Sequence, residues 1–322
     1  MPDFFEDGFA VREASWHRKE TLLADWPDEW SEAWRIANSD KPWDISVEPA
    51  YRLQPKTATF TKTESNFIVR DDTGAVLSTK GPEYHPITNA EYGEVIEQVM
   101  EAHNLDLKYE TTVILRGGKQ IATTMYLPHD LEIKGDPSPM RLYMVFMTSH
   151  DGSCAFKFGK SHVRIVCWNT QQAAENELDR SRSGFTVKHT LNWKRRLDDV
   201  LEGIRALRVE SNDFLKWADE MMSKDVSKTK VDEFMDRWLP HSTDMTAKQL
   251  EHVMDRRAQF MALLDHSVTT NGIRGTQWGV YQAAVETCDH FTKSRSLDSE
   301  IKRQLLTGDD RKAHAKRILA AL

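Results

Sequence analysis

Residues 108–128 read KYETTVILRGGKQIATTMYLP. Two arms rich in β-branched and aromatic residues flank Gly117-Gly118. Such residues fit a pleated surface, and a glycine pair supplies the positive φ of a tight turn, so the stretch predicts a β-hairpin. Working outward, MRLYMVFMTSH (140–150) reads as a third strand. SCAFKFG (153–159) and HVRIVCW (162–168) read as a further pair. Upstream, SNFIVRD (65–71) and AVLSTK (75–80) flank Asp72-Thr73-Gly74, another hairpin turn. Between the two β regions, Val95, Ile96, Val99 and Met100 recur at helical spacing behind Asn89, a good N-cap type. This predicts a helix over 90–102, followed by a mostly antiparallel meander of four or five strands.

From Asn169 onward the β pattern stops. NTQQAAENELD (169–179) predicts a short helix capped by Asn169 or Thr170, and RSRSGFTVKHT (180–190) an ordered loop or edge segment. Leu197, Leu201, Ile204 and Leu207 step by three and four residues, the mark of a long amphipathic helix over 192–222. More helices are expected at 230–238, 247–264, 275–291 and 299–306, and at the C-terminus. The fold class is therefore α+β: a central antiparallel sheet with a crossing helix, then a helical C-terminal half. The regions are 1–55, an acidic Trp-rich segment; 56–190, the sheet core; and 191–322, helices packing on that core.

Residues 1–55 carry Trp16, Trp26, Trp30, Trp34 and Trp43, half of the chain's ten tryptophans. Trp26, Trp30 and Trp34 are four apart, so one helix would carry them on one face, with Pro27 in its first turn. Such a stripe docks a helix on the body of the protein or forms a self-association arm; docking is favoured because tryptophan stripes are usually buried.

The chain has 322 residues, 39% hydrophobic and 29% charged, the balance of a globular protein. Its 43 basic and 50 acidic side chains leave −7, which by itself argues against a generic nucleic-acid binder. The charge is segregated, however. Residues 1–50 hold five basic and twelve acidic side chains, and residues 157–196 hold nine basic and three acidic. A basic stripe can hide inside an acidic total. Cys154, Cys167 and Cys288 form neither a disulfide framework nor a zinc pattern. With no apolar signal region and no run of the roughly 18–20 apolar residues a span needs, a cytoplasmic setting without membrane is expected.

Three chemistries compete for residues 148–173. His150, Asp151 and His162 are metal-ligand types, but SHDGS looks like a turn and no ligand spacing such as H-E-x-x-H occurs, so no metal is assigned. Cys167 with His189 would make a thiol and its base, but RIVCWN alternates like a strand and reads as packing. GGKQIATT lacks the phosphate-loop pattern and sits between strands. No catalytic motif and no cofactor is assigned. Phosphate binding fits better. Lys157, Lys160 and Arg164 lie on or beside one hairpin, Arg116 and Lys119 flank another hairpin tip, and Lys188, Lys194, Arg195 and Arg196 sit at the start of the long helix. Together they could line a groove tracking a sugar-phosphate backbone. Asp151 and Asn169 are given turn and cap roles. Thr276, in TTNGIRGTQWGVYQAAVETCDH (269–290), is the expected N-cap of a tightly packed helix.

The ordered set HDGSCAFKFGKSHVRIVCWNT, KHT and GIRGTQWGVYQAAVETCDH, with the earlier ASWH and YHPITNAEY, resembles the phage and plasmid family called domain of unknown function 932. A weaker, fold-level resemblance links helix, antiparallel meander and long helix to the Rad52-like single-strand annealing proteins of phages. That resemblance implies single-stranded DNA binding in a basic groove by a homo-oligomer, in the host-cell cytoplasm, with no nucleophile. The alternative is an accessory protein that binds a host protein through the acidic, Trp-rich N-terminal segment.

Overall fold

A computed structural model describes residues 5–11, 20–102, 106–164, 169–171, 184–196, 214–291 and 310–322. The expected α+β class holds. The larger sheet has eight strands: β1 (Phe5–Val11), β2 (Thr21–Leu23), β6 (Lys108–Leu115), β7 (Gln120–Leu131), β8 (Met140–Ser149), β9 (Phe156–Arg164), β10 (Asn169–Gln171) and β11 (Gly184–Val187). Their order is β10-β9-β8-β7-β6-β1-β2, and β11 shares the outer edge of β9 with β10. The meander β6 to β9 is antiparallel throughout, and among the described residues only β1 and β2 pair in parallel. A second sheet joins β3 (Ile45–Gln54), β4 (Thr59–Arg70) and β5 (Val76–Lys80) in the order β3-β4-β5.

The hairpin read from residues 108–128 pairs Leu115 with Gln120. Both tip glycines have positive φ, Gly117 at 69° and Gly118 at 86°. At Gly118 a Cβ would also stand 2.9 Å from the Trp43 ring, so the position needs glycine twice over. The next pair of segments differs from expectation. Residues 156–164 form one continuous strand, with β8 on one side and β10 and β11 end to end on the other. Residues 169–171 are that edge strand, so Asn169 pairs with Arg164 instead of capping a helix. Local pattern could not show that β9 had a free edge to receive them. The remainder of that expected helix, most of the long helix over 192–222 and the helix over 299–306 lie outside the described residues.

Two helices cover one face of the large sheet. Helix α1 (Trp30–Ala37) buries Trp30, Ala33, Trp34 and Ala37, an i, i+3, i+4, i+7 stripe. The tryptophan stripe thus docks, with the Trp30 and Trp34 rings stacked 5.4 Å apart. Trp26 is not on this helix. Glu97 of the next helix accepts from the Trp30 backbone N–H at 2.8 Å and so sets where α1 begins. Trp26 instead donates to Glu110 at 2.7 Å and stacks on Tyr126. Helix α2 (Asn89–Ala102) matches its predicted span, but its cap is different. Thr88 accepts from Glu91 N and Glu91 accepts from Thr88 N, both at 3.1 Å, a reciprocal capping box. Asn89 is released from capping and buried. Phe146, Phe158, Ile114, Met125 and Val187 of the sheet complete this core with α1 and α2.

The C-terminal half is helical: residues 214–222, α3 (Lys228–Trp238), α4 (Ala247–His266), α5 (Gln277–His290) and α6 (Asp310–Ala320). Thr276 caps α5 as expected, accepting from Gly279 N at 3.1 Å. These helices enclose a second core that includes Trp278, Tyr281 and Phe260 and reaches the sheet at Met140 and the β7–β8 connection at Ile133. Within it Lys312 and Asp289, each 1% exposed, form an ion pair at 2.5 Å.

Candidate functional site

The tip of β6–β7, the turn between β8 and β9, the end of β5, the start of α2 and the exit of β11 all meet at one end of the large sheet. We call this end the rim. His150 follows β8 directly and is fully buried. Its N–H donates to Lys119 O at 2.9 Å, and its carbonyl accepts from Ser78 Oγ at 3.1 Å, tying the two sheets together. Its ring Nε2 lies 2.8 Å from Asn89 Oδ1, while Asn89 Nδ2 donates to Trp43 O. That second bond orients the amide, so Nε2 carries the proton and Nδ1 is left as a buried lone pair without a partner. Trp43 meets the imidazole edge-on, and the Arg70 guanidinium lies 4.2 Å over the Trp43 ring.

His189, 7% exposed, stacks on Tyr84 with ring centroids 5.3 Å apart. Neither of its ring nitrogens has a hydrogen-bond partner of good geometry. Burial pushes His189 down to about 4, with the nearby Lys80 charge adding to the effect and the Cys154 backbone opposing it. Burial likewise pushes His150 down to about 3, helped by His189 and opposed by Asp151. Both imidazoles are therefore neutral at neutral pH. Tyr84 donates to Ser149 O at 3.1 Å, and burial, then the Asp151 charge, raises its phenol well above its usual range.

The SHDGS turn is built as a turn. Asp151 Oδ1 accepts from Ser153 N at 2.9 Å, Ser149 Oγ bridges Cys154 N and O, and Gly152 has φ +65°. A Cβ on Gly152 would stand 2.8 Å from Lys80 Nζ. Arg116 lies 3.6 Å from Asp151. His162 is not part of this group. It pairs with Leu142, eight residues along β8 from His150, or roughly 26 Å at about 3.3 Å per residue. Among the described residues no group of three or more His, Cys, Asp or Glu could hold a metal ion. Cys167 lies outside the described residues; the cysteine beside His189 is Cys154.

The expected phosphate-binding residues divide. Arg116, Lys119, Lys157, Lys188, Lys194 and Arg195 come to the rim. Lys157 occupies the face of β9 opposite Phe156 and Phe158, which are buried. Lys188 and Arg195 are exposed, and Lys194 pairs with Glu91 at 2.9 Å. Positions 160 and 164 lie farther along β9, opposite Met144 and Met140. Their side chains, and that of Arg196, lie outside those described. Lys80 joins the rim, a residue that the sequence pattern did not single out. Over residues 80–91, 116–119, 150–157 and 186–195 the rim counts seven cations (Lys80, Arg116, Lys119, Lys157, Lys188, Lys194, Arg195) against Glu83, Glu91 and Asp151. The neutral histidines beneath add no charge. The rim is thus a cationic ridge on a rigid, hydrogen-bonded base, equipped to hold anionic groups by position and charge.

The family described as Domain of unknown function (DUF932) matches residues 76–307, from the first residue of β5 into the C-terminal half. The chain belongs to this family. No curated protein and no solved structure matches it. Among the described residues no helix is long and apolar enough to cross a membrane.

Proposed function

We propose that this DUF932 family member binds single-stranded DNA through the cationic rim and acts in annealing during recombination or replication. The observation that carries this reading is the convergence on one sheet end of six of the nine basic residues expected from sequence, joined by Lys80, in a chain whose total charge is −7. A polyanion held by lysine and arginine needs no nucleophile, which suits a site whose imidazoles are buried and neutral. The order α2, β6, β7, β8, β9 follows the helix-then-meander order of the Rad52-like annealing proteins; the reading stands on the charge arrangement and not on that analogy. Assembly as a homo-oligomer would bring several rims onto one strand. The alternative, docking of a host protein on the Trp-rich segment, has fewer rings to use, because Trp30, Trp34 and Trp43 are all buried.

The test is fluorescence anisotropy of a labelled single-stranded oligonucleotide over a salt series, with wild type and Lys119→Ala/Lys188→Ala/Arg195→Ala. Binding should weaken steeply with salt. If each cation neutralises one phosphate, the triple variant should lose about two units from the slope of log K against log salt, at about 0.7 per contact. No binding by the wild type even at low salt would overturn the proposal.

A further inference from the structure

Strand β4 pairs with β5 only over 66–69. From residue 59 to 65 its sole partner among the described residues is β3, so the distal half of β3–β4 is a two-stranded arm. Asn66 pairs with Lys80, the rim lysine beside Gly152, and the arm continues past that point. Seven residues of strand reach about 23 Å. The arm begins where the rim ends.

Pairing sorts its side chains. Tyr51 is opposite Lys62 and Leu53 is opposite Phe60, which puts these four on one face. Arg52, Gln54, Thr59 and Thr61 take the other, where Gln54 donates to Thr61 at 2.6 Å. On the first face Tyr51 is 52% exposed, Leu53 50% and Phe60 70%. Residues 49–65 contain Arg52, Lys56 and Lys62 and one carboxylate, Glu64, at the base of the arm. All three cations are exposed. Lysines and prolines on an unpaired edge guard against sheet-to-sheet pairing. That role explains Pro49, Pro55 and the charges. It does not explain two aromatic rings left uncovered on one face.

We infer that the arm is a second contact for single-stranded nucleic acid, its rings stacking bases while Arg52, Lys56 and Lys62 hold the backbone. Exposed rings interleaved with three cations, against the single carboxylate Glu64, complement a chain that offers π-faces and phosphates in alternation. The inference rests on the rim reading and extends it: a strand crossing the rim at Lys80 is handed to the arm. The arm lies outside the residues that match the family, so it would be a feature of this chain's own N-terminal part.

Two variants of the full chain test it by the same anisotropy assay, with unchanged circular dichroism and melting as the folding control. Tyr51→Ser/Phe60→Ser should weaken binding about fivefold to a hundredfold for each stacked ring and leave the salt slope unchanged. Lys56→Gln/Lys62→Gln should lower the slope by about 1.4, at about 0.7 per phosphate. If both variants bind like wild type while the rim triple variant loses affinity, the arm inference falls and the rim reading stands. If the wild type does not bind at all, both fall. If the ring variant shifts the sedimentation coefficient to a smaller species and leaves DNA affinity per protomer unchanged, the arm joins copies of the chain and the inference is overturned.

Discussion

Rim and arm are both basic β surfaces, yet they treat aromatic rings in opposite ways. At the rim Trp43, Tyr84 and His189 are packed against one another's neighbours or into the core, while Lys188, Lys194 and Arg195 are exposed. In the arm Tyr51 and Phe60 stand out with the cations beside them. The difference follows from what lies behind each. The rim is backed by α1, α2 and two sheets, so a ring gains by burial there. The arm has two strands and, among the described residues, no second layer behind them, so it has no interior in which to place a ring. A ring that stays exposed contributes little to folding and remains free for a ligand.

The largest expected effect that would sharpen this contrast is Trp30→Ala. Trp30 is 6% exposed in the stack behind the rim, and its removal should cost about 3–5 kcal/mol. Urea unfolding measures this, with the midpoint falling and the slope unchanged. Next comes pH. Both rim histidines are harder to protonate folded than unfolded, so as pH falls the unfolded chain takes up protons first. The stability tied to keeping them neutral is present above about pH 6.5 and is lost as pH falls toward 4. At pH 5 the loss is about 2 kcal/mol for each histidine. Unfolding at pH 7.5 and pH 5 should therefore show a smaller acid loss in His189→Gln than in wild type; equal losses would remove His189 from this role. Third, Gly93→Ala drives a methyl into Trp30, whose Cδ1 would lie 1.8 Å away. A cost of about 1–3 kcal/mol is expected from such overpacking, read as a drop in Tm. The smallest effect belongs to the arm: Phe60→Ala should change stability by no more than about 0.5 kcal/mol. A large loss there would mean that the arm is packed and the contrast is false.

Much of this was legible in local pattern. The 108–128 hairpin, the turn at Asp72-Thr73-Gly74, the span of α2, the cap at Thr276 and most of the described C-terminal helices follow from periodicity and turn chemistry, which depend on near neighbours alone. The misses share a cause. Asn89 looked like a cap because Asn is a capping type, but Thr88 and Glu91 took that role and left Asn89 to orient His150, sixty-one residues away. Trp26 fitted the helix stripe until Glu97 fixed the start of α1. Asn169 looked like a helix opening because nothing nearby reveals that β9 has an unpaired edge. The arm went unread because YRLQ and TFTK sit either side of the composition change near residue 55, which falls at the hairpin's tip.

Local pattern along the chain carried the class of fold, the antiparallel meander and the separation of a basic middle from an acidic start. It did so because strand alternation, helix spacing and charge are properties of neighbouring residues. Tertiary structure alone decided which cations share a surface, since strand register brings Lys119, Lys157 and Lys188 to one end and carries position 164 toward the other. It alone decided that His150 and His189 are neutral, because burial, not residue type, sets the cost of charging them. And it alone decided that Trp30 is core while Phe60 is surface, because only a second layer of structure can take a ring out of water.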